Sequence, residues 1–377
     1  MITILDSDLY KFSMQQAVLH HFSAATAEYT FVCRNKDQKL LNISGKVLDL
    51  INERLINHRL CSAGERYLKS LGYFTQDYLD FLSDFTFKLN HLSGIVYNAT
   101  EFNVSIEGPW LQTILWEVPL LSIISEAYGE NQKTDTCMCK VKEKLRMIAE
   151  YPGLKFADFG TRRRHSLAHH KEIIKNLVGN PNFIGTSNIG MAMEYNIPCI
   201  GTMAHEWIQA GQVLAPSLAE SQWFMLWKWI EEYKDQLAIA LTDTLGTDKF
   251  IQDYSRYFNG GPWKGVRQDS GDPVIIGEKL IKMFIDNRID PKTKTIVFSD
   301  SLTFPKMIEL YKLFKDRTNV LFGIGTNLTN DVGYKPLSIV IKLTKINGMP
   351  VAKISDDPDK TICKDNDYLQ KLKESIK

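Results

Sequence analysis

The sequence predicts a βα barrel, accompanied by a second region that the two ends of the chain build together. Three observations carry this prediction. From about residue 154 short apolar runs recur, each followed by a polar or Gly-rich cluster and most then by a helical stretch. Before that point, short segments alternate apolar and polar residues and are mixed with helices. At the other end, residues 338–345, then Asn347-Gly348, then 349–354 read as a β-hairpin with a type I′ turn.

In order along the chain, residues 6–22 read as a helix, with Asp6 placed to cap it and Leu9, Phe12, Val18 and Phe22 at roughly helical spacing. Segments 29–32, 85–89 and 102–106 alternate as half-buried antiparallel strands do. After Gly108-Pro109, residues 110–128 form a mostly apolar helix, with a disturbance expected at Pro119. The apolar runs then follow: 154–156 before DFGTRRRH, 182–184 before GTSN, 198–200 before GTMAHEW, and 237–241 before TDTLG. The last three are 265–267 before QDSGD, 295–298 before SDS, and 320–322 before GIGTN. Runs buried on both faces and alternating with helices argue for parallel βα units. Their number and spacing suit a closed barrel better than an open sheet, which stays the alternative. In a barrel, every polar cluster lies at the C-terminal mouth, where active sites are built.

Composition narrows the function. The net charge of +1 over 377 residues gives no reason to expect a nucleic-acid or membrane partner, so anion binding must come from local clusters. The six cysteines (Cys33, Cys61, Cys137, Cys139, Cys199 and Cys363) form no CxxC pair and read as reduced thiols. The start, MITILDSDLYKF, has acids where a signal peptide carries bases, and no apolar stretch reaches membrane-spanning length. The expectation is a soluble cytoplasmic enzyme.

Four motifs carry chemistry. A lone histidine is usually a core or surface residue, but His205 in GTMAHEW follows an apolar strand and a Gly-Thr turn, where backbone donors can meet a phosphate. Gln209 stands four residues later, so the HExxH zinc pattern fails. GIGTN (323–327) lets backbone N–H groups approach an anion, though a plain tight turn explains it about as well. RQDSGD (267–272) gathers a cation, two carboxylates and a hydroxyl, which suit ribose hydroxyls, magnesium and an acid. DFGTRRRH (158–165) is the densest basic cluster; three arginines after a strand and a glycine favour an anion site over a solvated face.

Taken in order, LDSDLYKFSMQQAVLHHF, ILWEVPLLSIISE, DFGTRRR, GTSN, GTMAHEW, RQDSGDP, FSDS and FGIGTNLT resemble the nicotinate phosphoribosyltransferase family, from Leu5 to about Cys363. The resemblance implies the type II phosphoribosyltransferase fold: an irregular α/β barrel (131–335) beside an α/β sandwich (1–130, completed by 336–377). It implies synthesis of nicotinate mononucleotide from nicotinate and phosphoribosyl pyrophosphate, coupled to ATP, in NAD salvage; the classification is ligase-type and the chemistry glycosyl transfer. His205 matches a histidine that ATP phosphorylates. Tyr10, Phe159, Thr186, Ser187, Thr202 and Arg267 match the nicotinate site, with Arg267 and Asp269 also catalytic beside His205. Arg162, Ser270, Gly271, Asp300, Gly323, Gly325 and Thr326 match the phosphoribosyl pyrophosphate site, and Asp269 and Asp300 are candidates to hold Mg2+. It also implies a homodimer in which Tyr10 enters the partner's barrel mouth.

Two positions depart from the family pattern: Gln268 stands where some relatives carry a histidine, and Thr303 where some carry an acid. The nearest rival is a nicotinamide phosphoribosyltransferase. That relative has an aspartate at the position of Ser187; an aspartate would repel a carboxylate, so Ser187 favours the acid. A βα-barrel isomerase or aldolase acting on a sugar phosphate is more remote, because no Lys or Glu base stands out at a strand end.

Overall fold

The computed structural model describes residues 4–35, 40–94, 102–258 and 261–376, and it contains two sheets. The strands are β1 (Thr26–Cys33), β2 (Leu92–Ser93), β3 (Ser105–Pro109), β4 (Phe156–Asp158), β5 (Phe183–Thr186) and β6 (Ile239–Leu241). They continue with β7 (Gly265–Gln268), β8 (Thr295–Phe298), β9 (Asn319–Ile324), β10 (Ile339–Ile346) and β11 (Met349–Pro350). One sheet is antiparallel, ordered β11-β10-β1-β3-β2. The other is parallel, ordered β5-β4-β9-β8-β7-β6.

The antiparallel sheet joins the chain ends, because β1 pairs with β10 from Ala27↔Ile346 to Cys33↔Ile339. The hairpin after β10 turns at Asn347 (φ 49°) and Gly348 (φ 75°), the two left-handed residues that a type I′ turn requires. Six of the seven apolar runs become parallel strands. The run 198–200 instead makes only a bridge, Thr186↔Cys199. Just beyond it, Thr202 Oγ1 donates to Ile239 O at 3.0 Å. That segment therefore spans from β5 to β6 with a single bridge on one side and a side-chain hydrogen bond on the other, which is where the barrel is irregular.

Three expected elements differ. Residues 85–89 are not a strand: Phe85 and Phe87 are buried at ring distances of 5.2 Å from each other and 4.7 Å from Phe87 to Trp116. Alternation demands one buried face, and an aromatic cluster supplies it without a ladder. The expected strand 102–106 begins at Ser105. The apolar helix 110–128 breaks at Ile114–Trp116 rather than at Pro119. Pro119 lies in the first turn of the helix Glu117–Gly129, where no intrahelical N–H bond is lost. Cys137 and Cys139, expected as reduced thiols, are paired; Cys33, Cys61, Cys199 and Cys363 are free. Among the described residues no helix is long and apolar enough to cross a membrane.

The helix Leu9–Phe22 starts three residues later than the sequence suggests, because Asp6 bonds to Arg164 instead of capping it. Its first two and a half turns are buried on every side, as befits a helix wedged between both sheets. Its last turn is stapled: His20 Nδ1 lies 2.8 Å from Glu232 Oε1 and Nε2 lies 3.0 Å from Asp77 Oδ2, with His21 Nε2 3.3 Å from Glu232 Oε2. Partial burial opposes charge on His20, but Glu232 and Asp77 outweigh it and raise the imidazole above its ordinary 6.5. The staple's contribution is therefore complete below about pH 6.5 and is lost as pH rises through the raised value. His20→Gln should cost up to about 1 kcal/mol at pH 5.5 and less at pH 8.5, a modest figure because the group is partly solvated. Urea unfolding at the two pH values checks this, and an equal loss at both would refute it.

Candidate active site

The ends of β4, β7, β8 and β9 open onto one cavity of about 530 Å³. Phe159, Gly160, Arg162 and Arg163 line it after β4, Asp269 after β7, Ser299 and Asp300 after β8, and Gly325, Thr326 and Asn327 after β9. Lys342 of β10 covers it, and Arg34, Lys353 and Lys360 complete the rim. Seven basic side chains (Arg34, Arg162, Arg163, Arg267, Lys342, Lys353 and Lys360) thus oppose three carboxylates (Asp269, Asp300 and Asp331), although burial and the Lys353 cation pull Lys342 down to about 7. That excess suits a ligand carrying several negative charges.

His205 opens the helix His205–Leu214 and lines this cavity. Its Nε2 lies 2.9 Å from Asp243 Oδ1 and 3.7 Å from Asp269 Oδ2. Asp243 is buried, and its Oδ2 accepts from Lys353 Nζ at 2.8 Å and Ser270 Oγ at 2.6 Å. Burial and the Lys353 cation push His205 down to about 4, against the pull of Asp243 and Asp269. Burial alone would raise Asp243, but His205 and Lys353 hold it well below the usual carboxylate range. An ionised Asp243 can only accept, so a neutral His205 carries its proton on Nε2 and keeps Nδ1 as the nucleophilic nitrogen.

The acid loop is built around Arg267. Its Nη2 lies 3.1 Å from Asp269 Oδ2, its Nε donates to Ser299 Oγ at 3.0 Å, and its Nη1 donates to Met203 O at 3.3 Å. Burial opposes ionisation of Asp269, but Arg267 and His205 hold it far below the carboxylate range. Gln268 Nε2 donates to Ser270 O at 2.8 Å and Gly271 O at 3.2 Å. Ser270 and Gly271 therefore brace the loop from behind rather than lining the cavity. Thr303 lines the rim and caps the helix Phe304–Phe314 through its hydroxyl. Asp300 pairs with Lys360 at 2.6 Å.

The three consecutive arginines separate into three roles. Arg162 enters the cavity, held by Glu117 Oε1 at 3.3 Å, with its guanidinium 5.9 Å from the Tyr10 ring centre. Arg163 lines the cavity while its Nε donates to Ile339 O at 3.0 Å. Arg164 faces away: it binds Asp6 through two 2.7 Å bonds and Glu126 at 2.8 Å. Gly160 is obligatory here, because a Cβ would lie 2.2 Å from Thr329. Gly323 serves packing, since a Cβ would strike the Phe159 ring at 2.3 Å; it does not line the cavity.

Tyr10 lines a smaller recess next to the main cavity, together with Arg162, His205, Arg267, Asp269 and Lys342. Within this chain the helix Leu9–Phe22 carries Tyr10 to the mouth of its own parallel sheet, where Leu9 N donates to Ser187 O at 2.8 Å. Thr186, Ser187 and Thr202 stand behind the recess. Thr186 Oγ1 donates to Asp158 at 2.6 Å and Ser187 Oγ to Asp8 at 2.8 Å, while Thr202 bonds to Ile239. Neither Ser187 nor the Asp8 that takes up its hydroxyl lines the recess.

Sequence reasoning passed over Asp243, Lys342, Lys353, Lys360 and Arg34. Asp243 had a signal, since TDTLG follows an apolar run as the other site clusters do. The lysines had none, because a cation in a hairpin reads as ordinary surface.

The chain matches two family models: the nicotinate phosphoribosyltransferase family over residues 154–377 and the nicotinate phosphoribosyltransferase N-terminal domain over 5–125. It is similar to a curated nicotinate phosphoribosyltransferase of Burkholderia mallei, 43% identical over 387 aligned positions, covering 99% of this chain and 96% of the relative. A Bordetella petrii nicotinate phosphoribosyltransferase is 44% identical over 386 positions, covering 99% and 97%. The crystal structure of nicotinate phosphoribosyltransferase from Porphyromonas gingivalis superposes with a TM-score of 0.92 at 32% identity, covering 100% of this chain and 99% of that one.

Proposed function

The chain belongs to the nicotinate phosphoribosyltransferase family, and from that premise we propose that it makes nicotinate mononucleotide in the cytoplasm through an ATP-phosphorylated His205. The observation that carries this reading is His205 itself: held through Nε2 by buried Asp243, it lies between a polycationic cavity and an aromatic recess.

The division of labour follows from the lining. The recess, with the Tyr10 ring and the Arg162 and Arg267 cations, takes the aromatic acid. The larger cavity takes phosphoribosyl pyrophosphate, with Gly325 and Thr326 at the end of β9 for the 5-phosphate. Displacement at the anomeric carbon passes through an oxocarbenium-like state, so preorganised charge matters more than a protein nucleophile. The pyridine nitrogen attacks, the bond to pyrophosphate breaks, and Arg163, Lys342, Lys353 and Lys360 are positioned to take up the leaving charge. Asp269 and Asp300 are oxygen donors facing the same cavity; they would hold Mg2+, which supplies neutralisation of phosphate charge when bound. For the ATP step, His205 Nδ1 attacks the γ-phosphorus and the bond to ADP breaks. The homodimer that the resemblance implies is part of this reading. The acid is favoured over nicotinamide by the two guanidinium groups of the recess.

Product formation from nicotinate and from nicotinamide, each with and without ATP, tests the reading. Nicotinate should be strongly preferred and ATP should raise kcat/KM. γ-Labelled ATP should leave an acid-labile, base-stable label that disappears in His205→Ala. Preference for nicotinamide, or a label that survives the substitution, would overturn it.

A further inference from the structure

At the recess lies a buried ion cluster whose Lys11, Glu117 and Glu206 have no part in the proposed chemistry. Lys11, fully buried, lies 2.7 Å from Glu117 Oε2 and also bonds to Glu206 Oε2. Tyr29 Oη and Trp110 Nε1 both donate to Glu206 Oε1, at 3.2 and 3.4 Å. The second oxygen of Glu117, Oε1, lies 3.3 Å from Arg162 Nη1. With two cations and two carboxylates the cluster is neutral, as burial requires. Its members also stand next to site residues along the chain: Lys11 follows Tyr10 and Glu206 follows His205. One ammonium therefore ties together the three segments that deliver Tyr10, His205 and, through Glu117, Arg162.

We propose that Glu117, seated on Lys11, is a positioning residue that aims the Arg162 guanidinium across the Tyr10 ring at the carboxylate of the aromatic substrate. The assignment of the recess to that acid rests on the function proposed above. The geometry explains why a carboxylate is needed here. Arg162 is about one-third exposed and its fork of donors is directional, so without a fixed partner it can swing into the wider cavity. Glu117 cannot swing with it, because its other oxygen is held by Lys11 below. Were Glu117 only a counter-charge, its removal would leave the recess more positive and tighten anion binding. A positioning role predicts the opposite sign.

Calorimetric titration of the full-length chain with nicotinate and, separately, with inorganic pyrophosphate tests this without requiring turnover. Glu117→Gln removes the charge; Glu117→Asp keeps the charge and draws it back by one methylene, which guards against a fold that fails from a buried unpaired Lys11. Both should weaken nicotinate binding about tenfold or more, with pyrophosphate binding changed less than threefold. In an Arg162→Ala background, either change at 117 should alter the nicotinate Kd less than twofold, because the residue it acts through is gone. Tighter nicotinate binding in Glu117→Gln, an unchanged Kd in Glu117→Asp, or additive effects with Arg162→Ala would each overturn the proposal. A wild-type chain that binds both probes but forms no mononucleotide would instead count against the function and leave the positioning test to be scored on its own.

Discussion

Asp243→Asn is expected to slow labelling of His205 by γ-labelled ATP about 10²–10⁴-fold, the scale seen when a buried orienting carboxylate loses its charge and the imidazole adopts the wrong tautomer. The amide can present its NH2 group to Nε2, which forces the ring proton onto Nδ1 and removes the free lone pair. The change also strips the buried Lys353 ammonium of its ion-pair partner, which lies at 2.8 Å. Breaking such a pair costs about 3–5 kcal/mol because a charge is left uncompensated. Two readouts separate the effects: urea unfolding reports the stability loss, and the labelling rate of the still-folded fraction reports the tautomer. Wild-type labelling by folded Asp243→Asn protein would remove Asp243 from the mechanism. Because burial and Lys353 push His205 down to about 4, the wild-type labelling rate should stay level from pH 8 to pH 5 and fall only as pH approaches 4. A midpoint near 6.5 would mean that His205 titrates as if free.

Arg164→Met is expected to cost about 3–5 kcal/mol of stability, whereas Arg162→Ala, two residues earlier, should cost less than about 1 kcal/mol and act on substrate binding. Arg164 is 1% exposed and uses its whole fork, two bonds to Asp6 and one to Glu126. Losing it leaves the buried Asp6 without its cation, while Glu126 keeps Arg54 at 2.8 Å. Burial would raise the Asp6 carboxyl, but Arg164 outweighs it and lowers the group to about 2. Its contribution is therefore complete above about pH 3.8 and is lost as pH falls through about 2, so the difference between wild type and Arg164→Met should be constant from pH 5 to 8. Equal stability losses from the two arginines in urea unfolding would contradict the separate roles the structure assigns them.

Much of the molecule was legible in the chain itself. The parallel strands were readable because a strand buried on both faces is apolar throughout. The Asn347-Gly348 turn was readable because left-handed backbone is encoded by the residue that adopts it. His205 was readable as a residue at a helix start, although the apolar run before it makes only a bridge, and the ordered motifs carried the family. What failed were features with a nonlocal cause. Residues 85–89 alternate like a strand, yet their buried face packs on Trp116 and no neighbouring strand offers a ladder. The adjacent arginines look alike in sequence, but Glu117, Ile339 O, and the pair Asp6 and Glu126 lie in different parts of the chain.

The sequence alone determined the parallel βα units, the hairpin that returns the C-terminal segment to the first sheet, and the family, since periodicity, turn chemistry and motif order are properties of neighbouring residues. Only the tertiary structure decided which charges became functional. Lys353 reaches Asp243, Lys11 reaches Glu206 across 195 positions, and Tyr10 reaches the recess that holds Arg162 and His205. The physical reason is that a buried charge is tolerated only beside its counter-charge, and which counter-charge that is depends on how distant segments pack, which no local pattern encodes.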